Sequence, residues 1–279
     1  MNHPVPVPFS MDQALDEYVR AQTAPRPWDG GYHPSGLFGC DRKVVYGLRD
    51  TPRPDTWKPG ANRALLVGNT LGPVLQTAIT EQVGHTLREA YIEPEIDVAV
   101  PFIKGHVDAL IYCVDETYEV IENKTINEWA LKSAMKKGEI PKPDHVNQGL
   151  TYLWAIKYHG FYTDPVYDDD WMCPNCNTPW KCNGPHIPEE PEREFHEPIP
   201  QLNRLRVVYW EKSYHPIHEY IVNLTPEWEE SFIEHIARLD RYKADGTALP
   251  PRLPKDSWQC NYCLYQQQCW KIDSEGVDI

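Results

Sequence analysis

The segment Gly105-His-Val-Asp-Ala-Leu-Ile-Tyr-Cys-Val-Asp-Glu-Thr-Tyr-Glu-Val-Ile-Glu-Asn-Lys124 holds two apolar runs, residues 105–114 and 118–124, on either side of Asp115-Glu116-Thr117. Runs of this kind around a polar triplet predict two antiparallel strands joined by a tight turn. Side chains two apart on a strand share a face, so Glu122 and Lys124 point one way together, and so do His106 and Asp108. Paired as a hairpin, the strands bring both sets to one point. Two carboxylates there bind a hard cation such as magnesium or manganese. The cation polarises a phosphoryl oxygen and lowers the pKa of a bound water, and the neighbouring lysine orients that water or stabilises charge developing on phosphate. A Glu-x-Lys triplet alone carries little weight, because such residues are common at strand ends. The Gly-x-x-Asp on the neighbouring strand adds to it, as do Gln148 and Tyr152, which lie four apart on the next helix and so share one of its faces.

Outward from this hairpin, helix and strand signals alternate. Ser10-Met-Asp-Gln13 is a capping box that opens a helix to about residue 23. Ser35 caps a second helix carrying Cys40, Arg42 and Tyr46, and the proline-rich residues 51–60 read as a loop. Leu65, Leu66, Leu71, Val74, Leu75 and Ile79 space a helix over 62–83, and Ile96, Val98 and Val100 alternate as a strand. Helices over 127–137 and 144–159 are divided by Pro141 and Pro143. A second hairpin spans 205–212 and 219–222, and Thr225-Pro226 opens a helix to about residue 244. This order predicts an α/β protein with a mixed central β-sheet flanked by helices.

The chain is long enough, at 279 residues and 41% hydrophobic, to bury a sizeable core. No segment has the length and apolarity of a membrane span, and the start Met-Asn-His-Pro-Val-Pro-Val-Pro lacks a secretory pattern. A soluble, cytoplasmic protein is expected. The formal net charge of −14 is unevenly spread. Acid crowds at Asp168-Asp169-Asp170 and at Glu189, Glu190, Glu192, Glu194 and Glu197. Basic residues collect at Arg42 and Lys43, at Lys132, Lys136, Lys137 and Lys142, and at Arg204 and Arg206, which predicts a local positive groove.

Seven of the eight cysteines lie in two groups, and close spacing in a reducing compartment argues for metal over disulfides. Cys113, in a strand-like run, reads as a plain buried thiol. Cys173-Pro-Asn-Cys176 with Cys182 and His186 has the donor set of a tetrahedral zinc site, with His196 as an alternative fourth ligand. It lies in residues 164–201, an irregular insertion where a metal would replace a missing core. The other group is Cys260-x-x-Cys263-x5-Cys269 with the distant Cys40, although Cys40 could instead join the central group. Trp258, Tyr262, Tyr265 and Trp270 surround the C-terminal cysteines, where packing is a more frequent use of such rings than stacking on bases.

Gly105-His-Val-Asp108, Glu122-Asn-Lys124 and Gln148-Gly-Leu-Thr-Tyr152 together resemble the motifs of RecB-family PD-(D/E)XK nucleases. Cys40 with the three later cysteines resembles that family's iron–sulfur subgroup, which includes the CRISPR-associated exonuclease Cas-four, the AddB nuclease domain and phage relatives. The likeness spans about residues 35–270. It implies a restriction-endonuclease-like fold, with Asp108 and Glu122 as ligands of magnesium or manganese, Lys124 as the catalytic lysine, and Gln148 and Tyr152 supporting the site or contacting DNA. It implies too that Cys40, Cys260, Cys263 and Cys269 hold a 4Fe–4S cluster, a clasp joining the two ends of the chain. One departure stands out. The family often places a histidine in a Gly-x-x-x-His pattern on the helix before the strands, and here that stretch reads Gly68-Asn-Thr-Leu-Gly72. Either the metal has fewer protein ligands, or His106 compensates from the face of Asp108.

The expected organisation is an N-terminal arm and helix (1–34), a nuclease core in two parts (35–163 and 202–250), the zinc-binding insertion between them (164–201) and a C-terminal iron–sulfur segment (251–279). The resemblance implies a metal-dependent DNA exonuclease, acting 5′→3′ on single-stranded ends, with partners in phage recombination, DNA repair or CRISPR spacer processing. A non-catalytic DNA-binding or assembly subunit with the same fold is the alternative. A metal- or redox-sensing regulator would leave the strand-borne carboxylates unexplained.

Overall fold

The computed structural model describes residues 17–19, 30–52, 59–92, 96–100, 102–163, 193–212, 217–261 and 263–271. Their main sheet has five strands: β1 (Leu87–Ile92), β3 (Ala109–Cys113), β4 (Tyr118–Ile126), β7 (Arg204–Glu211) and β8 (His218–Asn223), side by side in that order. The pair β4 and β7 is parallel and the others are antiparallel, so the sheet is mixed. A parallel pair needs a long crossover, and the chain between β4 and β7 includes helices α4 (Glu128–Lys137) and α5 (Pro143–His159). A smaller antiparallel sheet holds β2 (Ile96–Val98), β5 (Phe161–Thr163) and β6 (Glu194–His196).

Alternation along the strands gives the main sheet two apolar faces. Leu110, Val120, Leu205, Val207 and Tyr209 join Leu150, Leu153 and Ile156 of α5, together with Phe232 and Leu239 of α6 (Pro226–Asp245). On the other face Ala109, Ile111, Ile121 and Val208 meet Leu75 and Ile79 of α3 (Pro59–Thr80). Each fully buried Leu or Ile stabilises by about 1.5–3 kcal/mol relative to exposure, so both faces hold helices firmly. Gly149 lets α5 approach closely: a Cβ there would lie 2.4 Å from Leu205 Cδ1. Asn127 Oδ1 accepts the Ala130 N–H at 2.7 Å at the start of α4, and Thr225 Oγ1 accepts the Trp228 N–H at 3.3 Å at the start of α6.

Two short helices, α1 (Pro34–Leu37) and α2 (Asp41–Leu48), replace the single helix expected after Ser35, and Cys40 takes the N-cap position of the second. Both dock on α6: His235 Nε2 lies 3.1 Å from the Leu37 carbonyl, and Arg238 Nη2 donates to Asp41 at 3.0 Å. The C-terminal helices α7 (Trp258–Asn261) and α8 (Gln266–Lys271) return to the same end. Gln268 donates to the Pro52 carbonyl at 2.8 Å, and Tyr46 packs against Tyr265 at 5.1 Å between ring centroids.

Other expectations shift. The strand at Ile96 belongs to the smaller sheet. Residues 194–196, expected inside an irregular insertion, form β6. His196, the alternative zinc ligand, stacks on Phe161 and sits 3.0 Å from Thr163 Oγ1. Cys173, Cys176, Cys182 and His186 lie outside the described residues, as does most of the helix expected over 10–23. Among the described residues, no helix is long and apolar enough to cross a membrane.

Candidate active site

The hairpin turn forms as expected: Asp115 Oδ1 accepts the Thr117 N–H at 3.2 Å, and Glu116 adopts φ +67°. The ladder between β3 and β4 starts at Ala109 opposite Ile121. Asp108 and His106 therefore precede the strand rather than belonging to it. The physical reason is a side-chain capture: Asp108 Oδ2 accepts the backbone N–H of Asn123 at 2.6 Å, where a continuing ladder would use a carbonyl. This bond ties Asp108 to the residue between Glu122 and Lys124.

Glu122 is 1% exposed and pairs with the Lys124 ammonium. Burial opposes the charge on Lys124, but Glu122 and then Asp108 outweigh it and hold the ammonium above its usual range. The expected trio is thus gathered around one cationic nitrogen. Gly105 sits at φ +150°, and a Cβ on it would lie 2.6 Å from the Tyr152 hydroxyl. Tyr152, buried on α5, thereby seats the loop that presents Asp108, and half-buried Gln148 lies one turn earlier on the same helix. His106 turns elsewhere, with Nε2 at 3.1 Å from Asp97 Oδ1 at the start of the smaller sheet.

Two residues absent from the sequence reading complete this wall. Tyr209 lies beside Lys124 in the parallel β4–β7 register. Its hydroxyl accepts the Lys142 N–H at 2.9 Å and stands 2.9 Å from His145 Nδ1. The hydroxyl and Nδ1 share one hydrogen bond, while Nε2 lies 3.9 Å from Asp144 Oδ2. Burial, opposed by Asp144 and reinforced by Lys124 and Lys142, pushes His145 down to about 4. The ring is therefore neutral at physiological pH. The signal available in sequence was spacing: His145, Gln148 and Tyr152 share one face of α5.

Arg204 and Arg206, expected to help form a positive groove, are engaged on the opposite face of β4. They clamp the buried Glu119 at 2.8 and 2.7 Å.

Cys40, Cys260, Cys263 and Cys269 line one cavity of about 150 Å³, together with Arg42 and Asp144. All four are free thiols. Burial raises the Cys260 thiol, and the other three cysteines add to the rise. Arg42 Nη1 lies 3.9 Å from Cys269 Sγ. Soft sulfur donors on one cavity wall suit iron–sulfur ligation better than hard-cation binding. Among the described residues, no three His, Cys, Asp or Glu side chains stand close enough to hold a single metal ion. Of the surrounding aromatics, Tyr265 is buried, Trp270 lies under Arg252 and Lys255, and Trp258 is 65% exposed, which packing alone does not account for.

No curated protein matches the chain. Among solved structures, the protein SSO0001 is 19% identical, with a TM-score of 0.46 over 93% of this chain and 95% of its own. An alkaline exonuclease from Laribacter hongkongensis is 14% identical, with a TM-score of 0.42 over 83% of this chain and 100% of its own. Through residues 49–270, which carry the Asp108, Glu122 and Lys124 arrangement, the sequence matches the family model itself, and the chain belongs to the PD-(D/E)XK nuclease superfamily.

Proposed function

We propose that the protein is a divalent-metal-dependent deoxyribonuclease that hydrolyses phosphodiester bonds as an exonuclease, 5′→3′ from single-stranded ends. The observation that carries this reading is the convergence of Asp108 and Glu122 on Lys124. Their carboxylates are hard oxygen donors that both act on the Lys124 ammonium, a donor type that fits magnesium or manganese. The cation supplies polarisation of a phosphoryl oxygen and acidification of a water. Asp108, fixed by the Asn123 N–H, and Glu122, fixed in the buried β4, would hold it without rearranging. Lys124, kept charged by both, is placed to stabilise the negative charge that develops on phosphate. Tyr152 and Gln148 position the Asp108 loop and the approach along α5. His145, held against Tyr209 and kept neutral by burial, shares the face of α5 that carries Gln148 and Tyr152.

The four cysteines support a 4Fe–4S cluster with a structural role, because they join the α1–α2 end to the C-terminal helices at one cavity. A four-iron cluster spaces its thiolates more widely than a single ion does, in keeping with four thiols spread around a cavity. The Cys173, Cys176, Cys182 and His186 set supports a separate zinc site on spacing alone. Recombination, repair or CRISPR spacer processing are the settings in which such an enzyme would work.

The decisive experiment incubates anaerobically purified protein with end-labelled single- and double-stranded DNA, with and without manganese. Loss of cleavage in Asp108→Asn and Glu122→Gln, with folding intact, is expected. Cleavage that persists in both variants removes this reading. Cys263→Ser should bleach the brown charge-transfer absorbance, and unchanged absorbance would refute the cluster.

A further inference from the structure

The helix α4 begins two residues after the strand that carries Glu122 and Lys124. Its inner side is ordinary: Leu131 and Ala134 are buried. Its outer side is not. Trp129 is 79% exposed, the highest value among the exposed large hydrophobic side chains described. Trp129, Lys132 and Lys136 are spaced three and four apart, so they form one stripe along the helix, with exposed Lys137 at its edge. A single exposed aromatic is ordinary on a protein surface; what marks Trp129 is the row of lysines on the same side of the helix.

Charge marks the same strip. Between residues 128 and 142 there are four lysines and two glutamates, in a chain whose net charge is −14. Glu128 is committed to Lys132 as an i,i+4 pair, which leaves Lys136, Lys137 and Lys142 as the cationic run. Glu139 is the other carboxylate of the strip, and Glu211, on β7, is felt by Lys132. The run leads to the catalytic wall. The Lys142 N–H is bound by Tyr209, and the Lys142 charge is felt by His145. The strip is therefore continuous with the Lys124 site rather than an isolated patch.

We propose that the outer face of α4 is a single-stranded DNA subsite: Trp129 stacks on an unpaired base while Lys136, Lys137 and Lys142 track the phosphates toward Lys124. Stacking on an exposed indole tolerates any base, since every base presents a π-face. Phosphate contacts by lysines carry no sequence information and are salt-dependent. The combination suits a protein that must hold a strand of arbitrary sequence while its end enters the site. This rests on the reading that DNA is the substrate.

The test measures binding of a fluorescein-labelled oligothymidylate by anisotropy, without divalent metal, in the Glu122→Gln protein. Trp129→Ala should weaken binding about tenfold at every salt concentration, with an unchanged salt slope. Trp129→Phe should recover most of that loss, because an aromatic face remains. Lys136→Ala combined with Lys137→Ala should lower the slope of log affinity against log salt by about one to two. All three side chains are solvent-facing, so folding is preserved in each variant. Oligothymidylate binding unchanged by Trp129→Ala overturns the proposal, as would be the case if this face served a protein partner. Equal losses with Phe and Ala would also overturn it. Binding is read apart from hydrolysis: failure of the protein with Glu122 intact to cut DNA with manganese would sink the nuclease assignment and leave this measurement decisive on its own.

Discussion

Two carboxylates on β4, three residues apart, are buried to the same 1% exposure yet have opposite surroundings. Glu119 faces α3 and is gripped by the guanidinium groups of Arg204 and Arg206. Each carboxylate oxygen of Glu119 carries its own guanidinium partner, so its charge is fully countered in place. Glu122 faces α5 with one flexible lysine beside it and Asp108 close enough for that lysine to feel both. An ammonium is a point charge on a mobile stem, so it can neutralise Glu122 and still move aside for a cation. Burial alone therefore does not distinguish a structural acid from a reactive one. On the proposed function, the identity of the counter-charge does.

The contrast is sharpest in activity. Glu122→Gln should cut manganese-dependent cleavage by about 1,000-fold or more, as loss of a principal electrostatic element does, while Asp108 remains as a counter-charge for Lys124. Glu119→Gln should instead leave the specific activity of folded protein unchanged and lower stability by about 1–3 kcal/mol, because the partly exposed Arg204 and Arg206 lose their shared carboxylate. Denaturant melts and cleavage assays on both variants check the pair. Similar effects from both would erase the distinction between the faces of β4.

The next effect is a pH dependence on the α5 side. His145 titrates near 4 in the folded protein against about 6.5 when unfolded. Between those values the unfolded chain binds the extra proton, so stability should fall as pH drops through that window. The contribution is about 3 kcal/mol when fully developed. His145→Asn should flatten this slope in urea melts taken from pH 7 to 4. The smallest effect belongs to the arginine side: Glu219, half-exposed and paired with Arg206 at 2.5 Å, should cost about 0.5 kcal/mol when changed to Ala.

Much of this was legible in the sequence, and the misses have physical causes. The period of two placed Glu122 and Lys124 on one face and set the turn at residues 115–117. It also implied that Asp108 extends a strand, which failed because its carboxylate takes the Asn123 N–H. The roles of Tyr209 and His145 were hidden because their contact spans 64 residues and depends on a parallel pairing that local pattern does not specify. Arg204 and Arg206 looked like groove cations because their partner, Glu119, approaches from a strand distant in sequence. Even so, its register opposite Arg204 places it on the opposite face from Glu122.

The parallel neighbour of β4 has a consequence for the newborn chain. Tyr209 is synthesised 64 residues after His145, and at about 5–20 residues per second that is a wait of roughly 3–13 s. During it the acid-bearing hairpin has been made while β4 still has an open edge and its histidine has no tyrosine beside it. An unpaired edge invites other strands, so translation speed through the intervening segment sets how long the half-built centre is vulnerable to aggregation.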